Sequence, residues 1–262
     1  MSRQSGYTLI ELIMVIVLLS IVATVSVRFV GLSTQGALDT STRQLRALRS
    51  VVISEQLTRE LREAFPLSVR TNGSCIEWLP LEAGTNYLQR TRGPNFDEIE
   101  IAAFAQPPST GNTRAVIYGY GTGTDDLYTA SDPGPVSSTV SAIDNTGSPA
   151  TITLSSSHRF NTNSPARRLF VVGEPVSVCQ SGHFLYRYSG YSPTASQPEP
   201  PSVASTGKRE VLAASLTGTV DFRVLPATLQ RAAVVQFTFE LESPDGEETT
   251  TVSQEVQIRN VP

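Results

Sequence analysis

The sequence predicts an α+β chain: a long N-terminal hydrophobic spine helix packed on a C-terminal antiparallel β-rich domain. Three observations carry this. An apolar run opens the chain, an apolar repeat of helical period follows it, and the remaining two-thirds alternates between strand-like segments and turn residues. With 262 residues, 39% hydrophobic and 17% charged, the chain has enough apolar material for a core and is not disordered. A formal net charge of −4 argues against a general nucleic-acid binder. Two cysteines, 104 positions apart, rule out a zinc cluster and a dense disulfide scaffold, and two histidines leave little material for a His-rich metal site.

The spine comes first. From Tyr7 to Val27 the only charged side chain is Glu11, and there is no Pro or Gly. At about 1.5 Å per residue this run covers about 30 Å, the thickness of a bilayer's hydrocarbon core. A secretory signal fits poorly, because no A-x-A cleavage pattern follows the run. An ordinary anchor fits the length but leaves Glu11 unexplained, since a carboxylate inside a membrane helix costs about 2.5–3.5 kcal/mol on insertion scales. Beyond the span, Leu38, Leu45, Leu48, Val52, Leu57, Leu61 and Phe65 recur at a roughly helical period. Glu55–Arg59 and Arg59–Glu63 are i,i+4 pairs on the opposite side, and Pro66 ends the run. Gly31 and Gly36 are places where the helix could bend.

Strand-like segments follow at Cys75–Leu81, Glu98–Phe104, Arg114–Tyr120, Thr151–Leu154, Leu169–Val172, Val176–Cys179 and Phe184–Tyr188. The clearest is Val235–Leu241, in which Val235, Phe237, Phe239 and Leu241 alternate with polar residues. Ser243-Pro244-Asp245-Gly246 reads as a turn into a last strand carrying Val252, Val256 and Ile258, so the chain ends in an antiparallel hairpin. Ser131–Pro149 and the Pro-rich Ser189–Gly207 read as loops.

The N-terminus resembles the type IV pilins and the pseudopilins of type II secretion. The residues that carry the likeness are Gly6-Tyr7-Thr8-Leu9-Ile10-Glu11: a leader ending in Gly, an aromatic residue, then T-L-I-E at the head of an apolar helix. The resemblance implies cleavage by prepilin peptidase between Gly6 and Tyr7 and N-methylation of Tyr7. Tyr stands there in place of the usual Phe. It also implies a leader at 1–6, a spine at 7–65 with its transmembrane part at 7–30, and an extracytoplasmic domain at 66–262. The protein would then sit in the inner membrane, single-pass with a periplasmic domain, and be assembled into a pilus at the cell surface. Its partners would be major and minor pilins, the peptidase, the inner-membrane assembly platform and the membrane, without nucleic acid. Arg28, Arg43, Arg46 and Arg49 after the span outnumber Arg3 before it, so a simple positive-inside count gives the opposite orientation. Long domains translocate largely regardless of charge, and the resemblance is preferred.

Glu11 then acquires a role. A charge in lipid needs a partner. The new amine at Tyr7 of a neighbouring, axially offset subunit is within reach where the helix's own amine is not.

Three inner segments narrow the resemblance to minor pilins of the mannose-sensitive haemagglutinin (MSHA) pilus: Cys75-Ile76-Glu77, Phe184 to Tyr191, and Val256 to Pro262. Such a chain would help initiate or cap a pilus. A tip adhesin binding a glycan, or a minor secretion pseudopilin, is the alternative. In an oxidising periplasm Cys75 and Cys179 favour a disulfide, with two buried free thiols as the other reading.

No catalytic role is expected, as His158 and His183 sit in no nucleophile motif. No cofactor is expected. Asp125, Asp126 and Asp132 are weak calcium candidates whose spacing matches no calcium loop. Tyr186, Tyr188 and Tyr191 could stack a sugar, or simply pack. The Gly-rich Tyr118–Thr124 lacks a phosphate-binding Lys and reads as a turn.

Overall fold

The computed structural model describes residues 6, 8–88, 95–119, 122–129, 131–202, 207–226 and 232–258. It divides into two compact units, Met1–Arg49 and Ser50–Pro262. One helix, α1 (Leu9–Arg62), runs through the first and into the second. Neither Gly31 nor Gly36 interrupts it. The helix ends three residues before the predicted Phe65. Its last turn tightens to i→i−3 bonds from Glu63 and Ala64, and the Phe65 amide donates instead to Leu79 O at 2.8 Å.

Fourteen strands follow among the described residues. The first two are β1 (Arg70–Thr71) and β2 (Cys75–Trp78). Next come β3 (Leu81–Asn86), β4 (Phe96–Ile101), β5 (Arg114–Val116), β6 (Val136–Asp144), β7 (Ala150–His158) and β8 (Arg168–Val172). The chain continues through β9 (Val176–Ser181), β10 (Phe184–Ser189) and β11 (Lys208–Ala213), and ends with β12 (Leu216–Leu225), β13 (Val234–Glu242) and β14 (Thr249–Gln257). All the paired strands are antiparallel.

One sheet has the order β1-β2-β9-β10-β11 and a second β12-β13-β14. Both pack on the last three turns of α1. Ile53, Leu57 and Leu61 share a core with Trp78, Phe222 and Phe237. Leu57 is 1% exposed whereas Val52 is 63% exposed. The packed stripe is therefore Ile53–Leu57–Leu61; of the predicted line, Leu57, Leu61 and Phe65 are buried as expected, whereas Leu38, Leu45, Leu48 and Val52 are exposed. Both lines fit a helical period, and sequence alone does not say where the sheet lies. The C-terminal hairpin forms as the alternation predicts, with Val235, Phe237, Phe239 and Leu241 buried and β13 paired with β14 in unbroken register.

The third sheet, β3-β8-β5-β6-β7-β4, is inserted between β2 and β9. Its two ends meet. Tyr87 bridges Ile101, Leu88 N donates to Glu100 O at 2.9 Å, and Ala102 N donates to Asn86 O at 2.9 Å. These bonds close a six-stranded barrel around its own core, which includes Ile99, Ile117, Val140, Ile152 and Val171. Part of it lies where a loop was expected, at Ser131–Pro149. The segment Val136–Asp144 is a strand because Val136 and Val140 point inward while its hydroxyls bond across to β7. Ser138 Oγ donates to Ser156 O at 2.8 Å, and Thr139 Oγ1 donates to Ser155 Oγ at 2.9 Å. A strand whose buried valines, Val136 and Val140, are separated by Ser137, Ser138 and Thr139 reads as a polar linker. Strands β11 and β12 were likewise not anticipated. Residues 190–202 of the second expected loop are free of helix and strand.

Candidate functional site

The candidate processing and assembly site lies at the head of α1. Gly6 and Thr8 are exposed, while Tyr7 lies outside the described residues. Thr8 precedes the first helical residue, and its Oγ1 accepts the Glu11 amide at 3.4 Å. Thr8-x-x-Glu11 thus has the spacing of a capping box, which occupies one of the orphan donors of the first turn. Glu11 is placed where the helix dipole favours a negative charge. The capping signal was visible in the sequence but hidden behind the processing motif.

The helix that follows is uncovered. Leu9, Val27 and Phe29 are 77%, 72% and 70% exposed, and the other large apolar side chains from Ile10 to Leu32 are exposed too. An apolar surface this continuous needs lipid or other helices around it. Two of its hydroxyls are already satisfied: Ser20 Oγ donates to Ile16 O and Thr24 Oγ1 to Ser20 O, both at 2.7 Å. Bonding back to the i−4 carbonyl leaves little polar surface for lipid to desolvate. Among the described residues α1 is the one helix long and apolar enough to cross a membrane.

In the β-domain, Cys75 and Cys179 form a disulfide. They are Cα partners on β2 and β9, the strands that lead into and out of the barrel. Beside the disulfide lies a buried polar centre that sequence reasoning missed. Glu77 is fully buried. Arg70 Nε donates to Glu77 Oε2 at 2.5 Å, and the Tyr191 hydroxyl donates to Glu77 Oε1 at 2.7 Å. The Arg70 guanidinium lies over the Tyr128 ring, 3.6 Å from its centroid, and the Tyr128 hydroxyl donates to Ser68 O at 2.6 Å. Burial, then the nearby Glu77 carboxylate, push both Tyr128 and Tyr191 well above the usual phenol range. Both rings therefore stay protonated as donors. The one signal for this centre was an acidic residue inside a four-residue apolar strand, Cys75-Ile76-Glu77-Trp78.

The three tyrosines do not form a stacking platform. Tyr188 and Tyr191 are buried against the disulfide, and Arg209 caps the Tyr186 ring 4.4 Å from its centroid. The three aspartates do not converge either. Asp125 pairs with Arg70 at 3.4 Å, and Asp126 Oδ2 accepts the Gly123 amide at 2.8 Å. Asp132 Oδ1 accepts the Arg159 amide at 3.0 Å. Among the described residues no three His, Cys, Asp or Glu side chains gather as a metal would need. His158 Nε2 lies 3.1 Å from Gly134 O and His183 Nδ1 2.9 Å from Leu216 O, so each imidazole is tied to the main chain. In the Gly-rich segment, Tyr120 and Gly121 lie outside the described residues, as do Arg259–Pro262 of the C-terminal segment.

Comparison with curated proteins and with solved structures gives no match. Residues 1–27 match the family model described as the prokaryotic N-terminal methylation motif. That type IV prepilin-like motif, at the head of a bare apolar helix and ahead of antiparallel sheets, supports a pilin-like protein.

Proposed function

We propose that the chain is a minor pilin that helps initiate or cap a type IV pilus after prepilin peptidase processing. Its inner segments resemble the MSHA biogenesis protein MshO, a relative of pseudopilin J of type II secretion. The observation that carries the reading is the methylation motif on an uncovered helix with an acidic residue one turn in. On this reading the peptidase cuts after Gly6, the new Tyr7 amine is methylated, and α1 holds the chain in the inner membrane with its β-domain in the periplasm. During assembly Glu11 pairs with the amine of an adjacent subunit, which sets the axial stagger. The role is structural rather than catalytic, and no cofactor enters it.

Deletion of the chain tests this. Loss of pili that is restored by the intact chain supports the reading. Normal pili that no longer adhere would point to a tip adhesin, and normal pili with failed protein export to a secretion pseudopilin. Intact-mass analysis is the companion measurement: the assembled chain should lack residues 1–6 and carry one methyl group.

A further inference from the structure

We propose that residues 190–202 form a strap, latched by Arg70, that seals the Cys75–Cys179 bond. With the strap docked, the disulfide is reachable only when the strap lifts.

The face of the sheet away from α1 carries two cross-strand rows: Cys75, Cys179, Tyr186 and Val211, then Glu77, Ser177, Tyr188 and Arg209. The opposite face is closed by the core, where Ile76, Val178 and Leu185 pack with Leu57. A reductant can therefore approach the sulfurs only from the outer face. There Tyr191 and Tyr188 share a buried cluster with both cysteines, and Gln197 Nε2 donates to Cys75 O at 3.2 Å. Cys75 and Cys179 are 2% and 0% exposed.

The strap has no strand pairing to hold it. Besides the Gln197–Cys75 bond, its ties converge on one ion pair. Arg70 Nη1 donates to Ala195 O and Nη2 to Thr194 O, both at 2.7 Å, while Nε holds Glu77. Tyr191 binds Glu77 and Ser177 through its hydroxyl. The planar guanidinium thus spends its fork on a buried carboxylate and on two strap carbonyls, a geometry that Lys lacks. Elements held by few hydrogen bonds open locally, below the cost of global unfolding. Thiol–disulfide exchange needs access of the attacking thiolate to a sulfur, so the open fraction sets its rate.

The chemistry balances. A dithiol such as dithiothreitol gives two electrons, ending as a cyclic disulfide, and Cys75 and Cys179 become two thiols. In folding the direction reverses, with a protein or small-molecule disulfide as acceptor.

The test is the rate of reduction of the full chain in detergent micelles by dithiothreitol, followed by thiol labelling and mass. Arg70→Lys keeps a cation for Glu77 but loses the bidentate grip on the strap. It should speed reduction at least roughly tenfold, the size of effect that one charge-assisted hydrogen bond is worth. Tyr191→Phe keeps the ring and removes its bonds, and should act in the same direction. Wild-type reduction should outpace global unfolding measured in the same buffer. Unchanged rates in both variants, or wild-type reduction no faster than global unfolding, overturn the latch.

Discussion

Cys75 and Cys179 face one another across β2 and β9 with Cα atoms 4.2 Å apart, at the neck where the chain enters and leaves the six-stranded barrel. The bond therefore closes a loop that contains the whole insertion, 104 positions long. The barrel has its own core, so the disulfide's main effect falls on the neck and on the unfolded chain.

Replacing both cysteines with Ser should lower stability by about 2–4 kcal/mol, the usual range for such bonds, against about 4.7 from chain entropy alone for a loop of this length. Denaturant titration of oxidised protein and of the double variant checks this. Cys179→Ser alone should abolish the mobility shift between reducing and non-reducing gels.

Leu57→Ala should cost about 2–5 kcal/mol, as for other large-to-small changes in a packed core. Val52→Ala, on the open side of the same helix, should stay within about 0.5 kcal/mol. Equal losses at the two positions would place the packed stripe on the line first predicted from the sequence.

These two positions show what was legible. Period 3.6 revealed a helix and period 2 revealed β13, because each needs only local spacing. Which of two apolar lines on α1 meets the sheet depends on distant strands, so Val52 and Ile53 were not separable. Strand β6 was hidden because its outward hydroxyls are satisfied by β7, a partner that the sequence does not announce. Barrel closure between Tyr87 and Ile101 is likewise non-local. At the candidate site, Gly6, Tyr7 and Glu11 were readable from a motif of fixed spacing. Arg70 and Glu77 were not, since Arg70 takes its meaning from strap carbonyls 125 and 124 residues away and Glu77 from the Tyr191 hydroxyl 114 residues away.

Tyr128 and Tyr191 make stability fall at high pH. Their pKa values are raised in the folded protein above the ordinary 10.0. Above that value the unfolded phenols lose their protons while the folded ones keep theirs, so the unfolded state binds fewer protons and gains. The contribution of these two phenols should be flat up to about pH 9 and decline as pH rises through about 10. Tyr191→Phe should flatten the decline. The check is unfolding free energy against pH, with tyrosinate absorbance followed in parallel. Tyr128 and Tyr191 should ionise only on unfolding, while Tyr118 and Tyr188 should also titrate later than an ordinary phenol.

Glu11 can act in two ways, and the structure gives the means to separate them. As the third residue of α1 it favours the helix start, alongside the Thr8 cap. As a buried carboxylate in an assembled filament it would pair with a neighbour's amine. Loss of an N-cap costs about 0.5–2 kcal/mol locally. Loss of one partner of a desolvated ion pair costs about 3–5 kcal/mol, because the other charge is left alone. Thr8→Ala should therefore fray the first turn with little effect on incorporation into pili. Glu11→Gln keeps the shape and a hydrogen-bonding side chain but removes the charge, and Glu11→Ala removes both. If pairing dominates, Glu11→Gln should fail to assemble about as badly as Glu11→Ala, with leader removal intact in both by mass. If capping dominates, Glu11→Gln should assemble nearly normally and Thr8→Ala should reproduce the Glu11→Ala defect. Quantifying the processed chain in membrane and sheared-pilus fractions distinguishes the two outcomes.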